Sequence, residues 1–161
     1  DGKDGVQVHI TNTSNLPVEA IEMEYPLRVE SYGFVTDSGG AGRFRGGLGL
    51  CRVISPVDHD CVFNGAGERF RYQPWGLFGG EAGASGQFQI EDADGIRRLD
   101  DKPNEVEVKL GTRITVETPG AGGYGKPAER NAEAVKRDQE SGKYSPEFIK
   151  ENYPTTNFGE Q

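Results

Sequence analysis

Near the start of the chain, a histidine and two glutamates could carry out acid–base chemistry. His9 lies in the alternating run at residues 6–10, which predicts a strand. Glu19 and Glu22 share one face of the short helix predicted to follow it. A histidine beside two carboxylates could transfer protons or bind a metal ion. The alternative is that the carboxylates are surface charges and that His9 is an ordinary strand residue.

Four arginines flank the glycine-rich stretches of the chain and could contact an anionic group. Guanidinium groups bind carboxylates and phosphates through paired hydrogen bonds, so these side chains could clamp a charged substrate. They could equally donate hydrogen bonds to the free carbonyl groups of extended backbone. The four are Arg43, Arg45, Arg69 and Arg71.

Two other motifs are formal matches to ligand sites. Asp58-His59-Asp60 offers three metal-type ligands, but adjacent residues on a tight turn rarely reach one ion, and a solvated turn is favoured. Residues 120–125 match the GxGxxG pattern of a dinucleotide site, which needs a helix that opens directly on the last glycine. Lys126 and Pro127 follow instead. The sequence therefore predicts neither a metal site nor a nucleotide site.

The elements that must position these residues are mainly short strands. Pro17 is expected at the first position of a helix through Glu24, and Pro26 ends it. The turn at Asp58-His59-Asp60 predicts a hairpin that joins residues 50–57 to residues 61–63. Alternating apolar residues predict strands at residues 27–35, 50–57, 61–63, 88–90, 106–110 and 114–117.

The last part of the chain has a helical character. Asn131 is a predicted N-cap for a helix over residues 132–140, and Gly142 lies near its end. Ser145, followed by Pro146, predicts the start of a second short helix. Both helices carry few apolar residues, so they must dock on another part of the protein.

The 24 glycines recur at a spacing of three residues in several places, for example at Gly80, Gly83 and Gly86. A polyproline II helix has three residues per turn, so this spacing places the bare positions along one edge, where extended backbones can approach closely. The alternative is a flexible linker, but linkers seldom carry large aromatic residues. Phe44, Trp75, Phe78 and Tyr124 lie in or beside the glycine blocks and favour a packed bundle of extended segments.

Charge and composition exclude several classes of protein. A net charge of −8 without a basic cluster disfavours nucleic-acid binding. No apolar stretch approaches the roughly 20 residues needed to span a bilayer, and no signal-peptide pattern is present. Cys51 and Cys61 are expected to be reduced thiols of a cytoplasmic protein, with a disulfide across the predicted hairpin as the alternative. The chain begins at Asp1, and its only methionine is Met23, which favours a piece of a longer protein.

Six motifs in order resemble the C-terminal region of the hydantoinase B/oxoprolinase family. They run from His9-Ile10-Thr11-Asn12-Thr13 with Pro17-Val18-Glu19, through the glycine-rich stretches, to the most recognisable, Thr118-Pro119-Gly120 with Gly122-Gly123-Tyr124-Gly125. The stretches between them are Asp37-Ser38-Gly39-Gly40-Ala41-Gly42-Arg43, Arg45-Gly46-Gly47, Gly67-Glu68-Arg69 and Pro74-Trp75-Gly76-Leu77-Phe78-Gly79-Gly80. The closing Ser145-Pro146-Glu147 also looks like the tail of the family.

The resemblance implies a fold and a function. The fold is mainly β, with sheets in a barrel-like arrangement, a bundle of glycine-rich polyproline II segments and two short C-terminal helices. The function is part of an ATP-dependent hydrolase of cyclic amides such as hydantoin, 5-oxoproline or a lactam. The alternatives are a component of an ATP-dependent ketone carboxylase of the acetone or acetophenone type and a non-catalytic scaffold subunit.

The same resemblance implies partners for the chain. It would act with the rest of a B-type subunit and with a hydantoinase A-type ATPase subunit in a hetero-oligomer, without nucleic acid or membrane. ATP and magnesium would be bound by the A-type subunit and no cofactor by this chain, which is expected to be inactive alone. The family's N-terminal region, where carboxylase members carry metal-binding residues, is not matched.

Two further predictions concern the domains and the site. Residues 1–125 are expected to form a glycine-rich β and polyproline II domain, and residues 126–161 a short helical tail. The polar groups expected near the reacting centre are His9, Asn12, Glu19 and Glu22, and those expected to bind a small-molecule substrate are Arg45 and Arg69.

Overall fold

The computed structural model describes residues 1–6 and 14–154, and the chain is mainly β-structure, as predicted. The strand predicted at residues 6–10 lies almost entirely outside the described residues. The strands are β1 (Leu27–Phe34), β2 (Leu50–Pro56), β3 (Cys61–Phe63), β4 (Gln87–Asp92), β5 (Gly95–Arg98), β6 (Val106–Val108) and β7 (Arg113–Glu117). The helices are α1 (Val18–Glu24), α2 (Ala132–Glu140) and α3 (Pro146–Asn152), with a 3-10 turn at Pro127–Glu129.

Five strands form one antiparallel sheet in the order β1-β2-β7-β4-β5. Among the described strands this sheet is open, with β1 and β5 at its edges, and it does not close into the expected barrel. Closure would require hydrogen bonds between the two edge strands, whereas each of them pairs on one side only.

The hairpin predicted between residues 50–57 and 61–63 is wrong. Strand β2 already has β1 on one side and β7 on the other, so neither of its edges can accept β3. Strand β3 pairs instead with β6 in a separate two-stranded sheet. Cys51 on β2 and Cys61 on β3 therefore belong to different sheets, and both are free thiols.

The larger core lies against the face of β4 and β7. Alternate residues of β4, Phe88 and Ile90, are buried, as expected for a strand with one face against the core. The other buried members of this cluster are Phe70, Leu99, Val108 and Ile114. Strand β5, which is exposed along its whole length and lies in an acidic segment, was not predicted from the sequence.

The glycine-rich segments lie side by side and exchange backbone hydrogen bonds. The amide of Gly40 donates to the carbonyl of Ala121 at 2.8 Å, and the amide of Gly123 donates to the carbonyl of Glu81 at 2.9 Å. A Cβ added at Gly46 would overlap the carbonyl oxygen of Ala121. The predicted packing of these segments is therefore present, while their polyproline II geometry stays a prediction.

The helices begin where the sequence predicts. The side chain of Asn131 accepts hydrogen bonds from the amides of Glu133 and Ala134 at the start of α2. The hydroxyl oxygen of Ser145 accepts one from Phe148 at the start of α3. Pro17 directly precedes α1 rather than opening it. None of the helices within the described ranges has the length and apolar composition needed to cross a bilayer.

Helices α2 and α3 dock on the glycine-rich segments through a second core. This cluster joins Ala41 to aromatic and aliphatic residues of the C-terminal part, namely Val135, Tyr144, Ile149 and Tyr153. The hydroxyl of Tyr144 donates to the carbonyl of Gly39 at 2.8 Å. The helices are thus held against the glycine-rich frame, as their thin apolar faces require; the boundary between residues 125 and 126 stays a prediction.

Candidate functional site

Glu19 and Glu22 both lie on the exposed surface of α1. One carboxylate oxygen of Glu22 accepts a hydrogen bond from the amide of Val29 at 2.9 Å, which ties the helix to β1. His9 and Asn12, the other two predicted catalytic residues, lie outside the described residues. The acid–base assignment therefore stays a prediction.

Arg45 is buried, and its guanidinium is fully engaged by protein oxygens. Its Nε donates to Asp138 at 3.0 Å, and its Nη atoms donate to both carboxylate oxygens of Asp4 at 2.6 and 3.0 Å. One Nη also donates to the carbonyl of Gly46 at 2.9 Å. Every guanidinium nitrogen thus has a partner, and three of the four hydrogen bonds go to carboxylates of the chain itself.

A second buried arginine completes the same ionic cluster. Arg130 donates to Asp138 at 2.6 Å and to Asp1 at 2.6 and 2.8 Å, and one of its Nη atoms also reaches the carbonyl of Arg43 at 3.1 Å. We call Asp1, Asp4, Arg45, Arg130, Asp138 and Lys143 the ionic cluster, since Lys143 pairs with Asp4 at 3.0 Å. Three cations and three carboxylates leave the ionic cluster without net charge.

The ion pairs of the ionic cluster shift the pKa values of Asp4 and Arg45. Burial raises the pKa of Asp4, but hydrogen bonds from Arg45, the Leu48 amide and Lys143 outweigh it and lower that pKa to about 2. Burial likewise opposes the charge of Arg45, yet Asp4 and Asp138 raise its pKa above the ordinary value. Asp4 and Arg45 therefore stay ionised at neutral pH and are poor proton donors or acceptors for a reaction.

Two buried tyrosines beside the ionic cluster are locked in the protonated state. Burial raises the pKa of Tyr144 and also that of Tyr153. The hydroxyl of Tyr153 accepts a hydrogen bond from the amide of Gly42 at 3.1 Å. Because both hydroxyls bind the glycine-rich backbone, they serve to attach the C-terminal helices rather than to transfer protons.

The ionic cluster was missed at the level of sequence, apart from Arg45. One signal was available: Asp138 stands three residues after Val135 in the predicted helix, so the two share a face. A carboxylate beside a buried valine needs a buried cation as its partner. Nothing in the sequence identifies Asp4 or Arg130 as neighbours of Asp138. Asp4 lies more than a hundred positions away, and Arg130, although only eight positions away, stands outside the predicted helix.

Arg69, in contrast, is exposed and lies in an open groove. Its guanidinium stacks over the ring of Trp75, 4.5 Å from the centroid, and its backbone is left-handed with φ of +61°. The groove has a volume of about 960 Å³ and is lined by both acidic and basic side chains. Arg69 lies in a different place from Arg45, so the two predicted anion contacts do not form one site.

Exposed aromatic rings form a continuous surface above the glycine-rich segments. The ring of Tyr124 lies 5.0 Å from that of Phe78 and 6.3 Å from that of Phe44, measured between centroids. Leu77, beside Phe78, pairs with Tyr124 through an isolated backbone bridge. We call Phe44, Leu77, Phe78 and Tyr124 the aromatic patch.

The two motifs that resemble ligand sites have structural surroundings. One oxygen of Asp60 accepts the amide of Leu110 at 2.8 Å, and Nδ1 of His59 lies 2.9 Å from the carbonyl of Val57. In the GxGxxG stretch, a Cβ added at Gly120 would overlap the Ser38 carbonyl and one at Gly122 that of Trp75, so the backbone there already faces carbonyl oxygens. A phosphate group does not fit against such acceptors.

The contacts of the described residues hold the fold together, and they do not form a recognisable catalytic centre. Within residues 1–6 and 14–154 there is no cluster of three histidine, cysteine or carboxylate side chains that could hold a metal ion. The burial of Cys51 and Cys61 raises the pKa of each thiol, which disfavours a thiolate nucleophile.

Comparisons with known proteins identify relatives over most of the chain. The model of the family described as hydantoinase B/oxoprolinase matches residues 1–127. An uncharacterized protein of Methanocaldococcus jannaschii is 39% identical over 132 residues, which are 81% of this chain and 23% of that protein. Caprolactamase subunit beta of Pseudomonas jessenii is 33% identical over 133 residues, which are 78% of this chain and 22% of that subunit. The chain spans less than a quarter of the length of either relative.

A solved structure has the same fold. The crystal structure of the ATP-dependent caprolactamase from Pseudomonas jessenii matches with a TM-score of 0.74 and 27% identity. The match covers 89% of this chain and 25% of the caprolactamase chain. The fold of this chain is therefore matched by about a quarter of a larger chain.

Proposed function

The chain belongs to the hydantoinase B/oxoprolinase family, and from that premise we propose that it is part of a B-type subunit of an ATP-dependent enzyme that hydrolyses cyclic amides. Hydantoins, 5-oxoproline and lactams are the proposed substrate class. The observation that carries the proposal is the family match over residues 1–127. The fold shared with an ATP-dependent caprolactamase supports it.

The proposed chemistry explains why the chain would need partners. An unstrained amide resists water, and phosphorylation of its oxygen would make the ring carbon open to attack. We assign ATP and magnesium to an A-type subunit, because the GxGxxG stretch of this chain faces backbone carbonyls rather than open space. The functional unit is then a hetero-oligomer, located in the cytoplasm, that comprises an A-type subunit and the rest of the B-type subunit.

Within that unit, the glycine-rich segments would form the frame and a few side chains would reach the substrate. His9, Asn12, Glu19 and Glu22 are the proposed polar groups at the reacting centre, with Arg69 as the contact for an anionic group of the substrate. For Arg45 we propose a positioning role in place of direct contact, because its guanidinium is buried and fully paired. Polyproline II geometry of the glycine-rich segments is part of the same proposal.

An ATP-dependent substrate screen on the intact assembly tests the proposal. Ring opening and ADP release would be measured with hydantoin, 5-oxoproline and caprolactam, and labelled bicarbonate would be supplied with acetone or acetophenone. ATP-dependent ring opening of at least one cyclic amide is the expected result. Carboxylation of a ketone without ring opening would contradict it and identify a ketone carboxylase.

An assembly that lacks this chain distinguishes a scaffold role from a contribution to the active site. If the chain contributes to the site, removing it should abolish ring opening even when the remaining parts stay assembled. Loss of activity that follows only from the remaining parts coming apart would leave the chain a scaffold role. The chain alone is expected to show no ring opening.

A further inference from the structure

The aromatic patch exposes more apolar ring surface than a free-standing protein of this kind usually shows. The exposed fractions are 75% for Phe78, 51% for Leu77, 48% for Tyr124 and 45% for Phe44. Scattered exposed apolar residues are ordinary, but a connected group marks an interaction surface. Here the ring of Tyr124 lies beside both the Phe44 and the Phe78 ring, so the patch is connected.

The backbone under the patch is held rigidly in place. Phe44 and Tyr124 exchange two backbone hydrogen bonds, of 3.0 and 2.9 Å, and the amide of Leu77 donates to Gly123 at 2.9 Å. Binding to rings that are already positioned costs little conformational entropy. The frame thus presents the patch as a preformed docking surface.

The patch also contains a tight turn. The amide of Gly80 donates to the carbonyl of Leu77 at 3.0 Å, and the two residues between them, Phe78 and Gly79, have left-handed backbones with φ of +52° and +89°. This hydrogen-bonded turn fixes the backbone that carries the Phe78 ring, most of which faces solvent.

One edge of the patch carries a cation although the chain as a whole is acidic. The guanidinium of Arg43 lies over the Phe44 ring at 5.4 Å. The salt bridges formed among the described residues do not involve Arg43. A surface of rings with a guanidinium group at its edge fits an apolar face that carries a carboxylate.

We propose that the aromatic patch, with Arg43 at its edge, docks the remaining part of a B-type protein, the three quarters of its relatives that this chain does not match. Caprolactamase subunit beta carries the matching region in 22% of its length, so a large remainder must meet this region somewhere on its surface. The patch combines exposed, connected rings, a hydrogen-bonded backbone and a cation at its edge. The inference rests on family membership and not on the identity of the reaction.

The test places the chain in its larger context. In the β subunit of Pseudomonas jessenii caprolactamase, the matching region is replaced by this chain, and hydroxyl-radical footprinting compares that protein with the chain alone. Oxidation of Phe78 and Tyr124 should fall at least fivefold, while Ile96 and Leu110, which are 69% and 59% exposed outside the patch, should be unchanged. Equal oxidation of the patch in both proteins would overturn the proposal.

A second experiment tests the alternative that the patch docks an A-type protein. If the patch becomes protected only after the other caprolactamase subunit is added, it docks an A-type protein and the proposal is wrong. If the fused protein does not accumulate, this chain is co-expressed with the remainder of the β subunit as a separate polypeptide. Failure of the two to co-purify overturns the proposal; co-purification with protection of the patch supports it.

A pair of variants then tests the role of the ring. Asparagine tolerates the left-handed backbone, so Phe78→Asn removes the ring without adding strain. It should weaken association of the separate chain with the remainder by about tenfold or more, as for a central aromatic contact. The matched control Ile96→Asn should change it less than twofold. These readouts measure association only, so a negative hydrolase screen would leave them interpretable.

Discussion

Asp138 lies between two buried arginines and accepts a hydrogen bond from each, from Arg45 at 3.0 Å and from Arg130 at 2.6 Å. The side chains of all three are less than 10% exposed. In such surroundings a charge that loses its partner cannot be solvated by water, so the cluster is stable only when it is complete. Its residues come from the start of the chain, from Arg45 and from residues 130–143, so the ionic cluster joins parts of the chain that are distant in sequence.

Replacement of Asp138 should therefore be severe. Asp138→Ala leaves two buried guanidinium groups without a shared carboxylate and should lower the free energy of unfolding by about 3–5 kcal/mol. The exposed Glu140, on the same helix, provides the control, and Glu140→Ala should change it by less than about 0.5 kcal/mol. Urea unfolding of the two variants measures both values. Similar midpoints for Asp138→Ala and the parent chain would contradict the role of the cluster.

The depressed pKa of Asp4 predicts a dependence of stability on pH. Its folded-state pKa of about 2 lies below the ordinary 3.8, so its contribution is present above pH 3.8 and is lost as the pH falls towards 2. Asp4→Asn should cost about 2 kcal/mol at pH 6, and the gap should shrink as the pH approaches 2. The exposed Asp100→Asn should show no such change. A gap independent of pH would contradict the prediction.

Glu22 has both a structural contact and a proposed role in the reaction, and one substitution separates them. Glutamine keeps an oxygen that can accept the Val29 amide hydrogen bond but loses the charge. If the carboxylate takes part in proton transfer, Glu22→Gln should lower kcat of the intact assembly by about a hundredfold or more without lowering stability. Glu24→Gln, on the same exposed helix, is the control. An unchanged kcat would remove Glu22 from the reacting centre.

A residue's role can be predicted from the sequence when its partners lie only a few positions away along the chain. The caps at Asn131 and Ser145 depend on residues a few positions away, and the sequence identifies both. The partners of Arg45 lie 41 and 93 positions away, and no local pattern encodes them. The sequence therefore marks Arg45 as notable but suggests an anion contact where the fold uses a buried ion pair.

At the scale of elements, the strands were easier to predict than their pairing. Alternation of apolar residues places β1, β2, β4 and β7 because each has a face against the core or against a neighbour. Pairing depends on competition for edges: β2 is occupied on both sides, so β3 pairs with β6, more than forty residues later. The exposed strand β5 carries no apolar alternation and gave no signal.

Close packing of the glycine segments, as opposed to a flexible linker, makes a further prediction. A Cβ added at Gly123 would overlap the carbonyl of Ala41, so Gly123→Ala should lower the free energy of unfolding by about 2 kcal/mol or more. Gly33 on β1 has no atom within 4 Å of an added Cβ, so Gly33→Ala should be neutral or slightly stabilising. Thermal unfolding of both variants measures the contrast. Equal tolerance at the two positions would favour the linker.

At the scale of the whole molecule, the order of motifs identified the family correctly, while the reacting centre could not be derived. Two of the proposed catalytic residues, His9 and Asn12, lie outside the described residues, and the relatives extend over about four times the matched length. A substrate pocket formed jointly with such a remainder leaves no complete pattern in this chain. What the chain itself shows is how its helices and glycine segments are joined.

That junction predicts how the chain unfolds. If residues 1–125 formed a self-sufficient domain and residues 126–161 only a tail, a chain ending at residue 125 would keep its midpoint. Instead, this truncation removes Arg130 and Asp138 from the ionic cluster and Tyr144 and Tyr153 from Ala41, leaving Arg45 buried beside one carboxylate. We expect calorimetry to show one cooperative transition for the whole chain and a midpoint lower by about 10 °C or more for the truncated one.

A point variant keeps that test free of the change in length. Tyr144→Ala removes the ring and hydroxyl that hold the C-terminal helices on the glycine segments, and it should lower the midpoint of the whole chain in a single transition. Two resolved transitions, with the first confined to the helices, would show that the boundary near residue 126 separates independent domains. A single transition would mean that the glycine-rich frame depends on the helices it carries, because the ionic cluster that joins them stabilises both parts together.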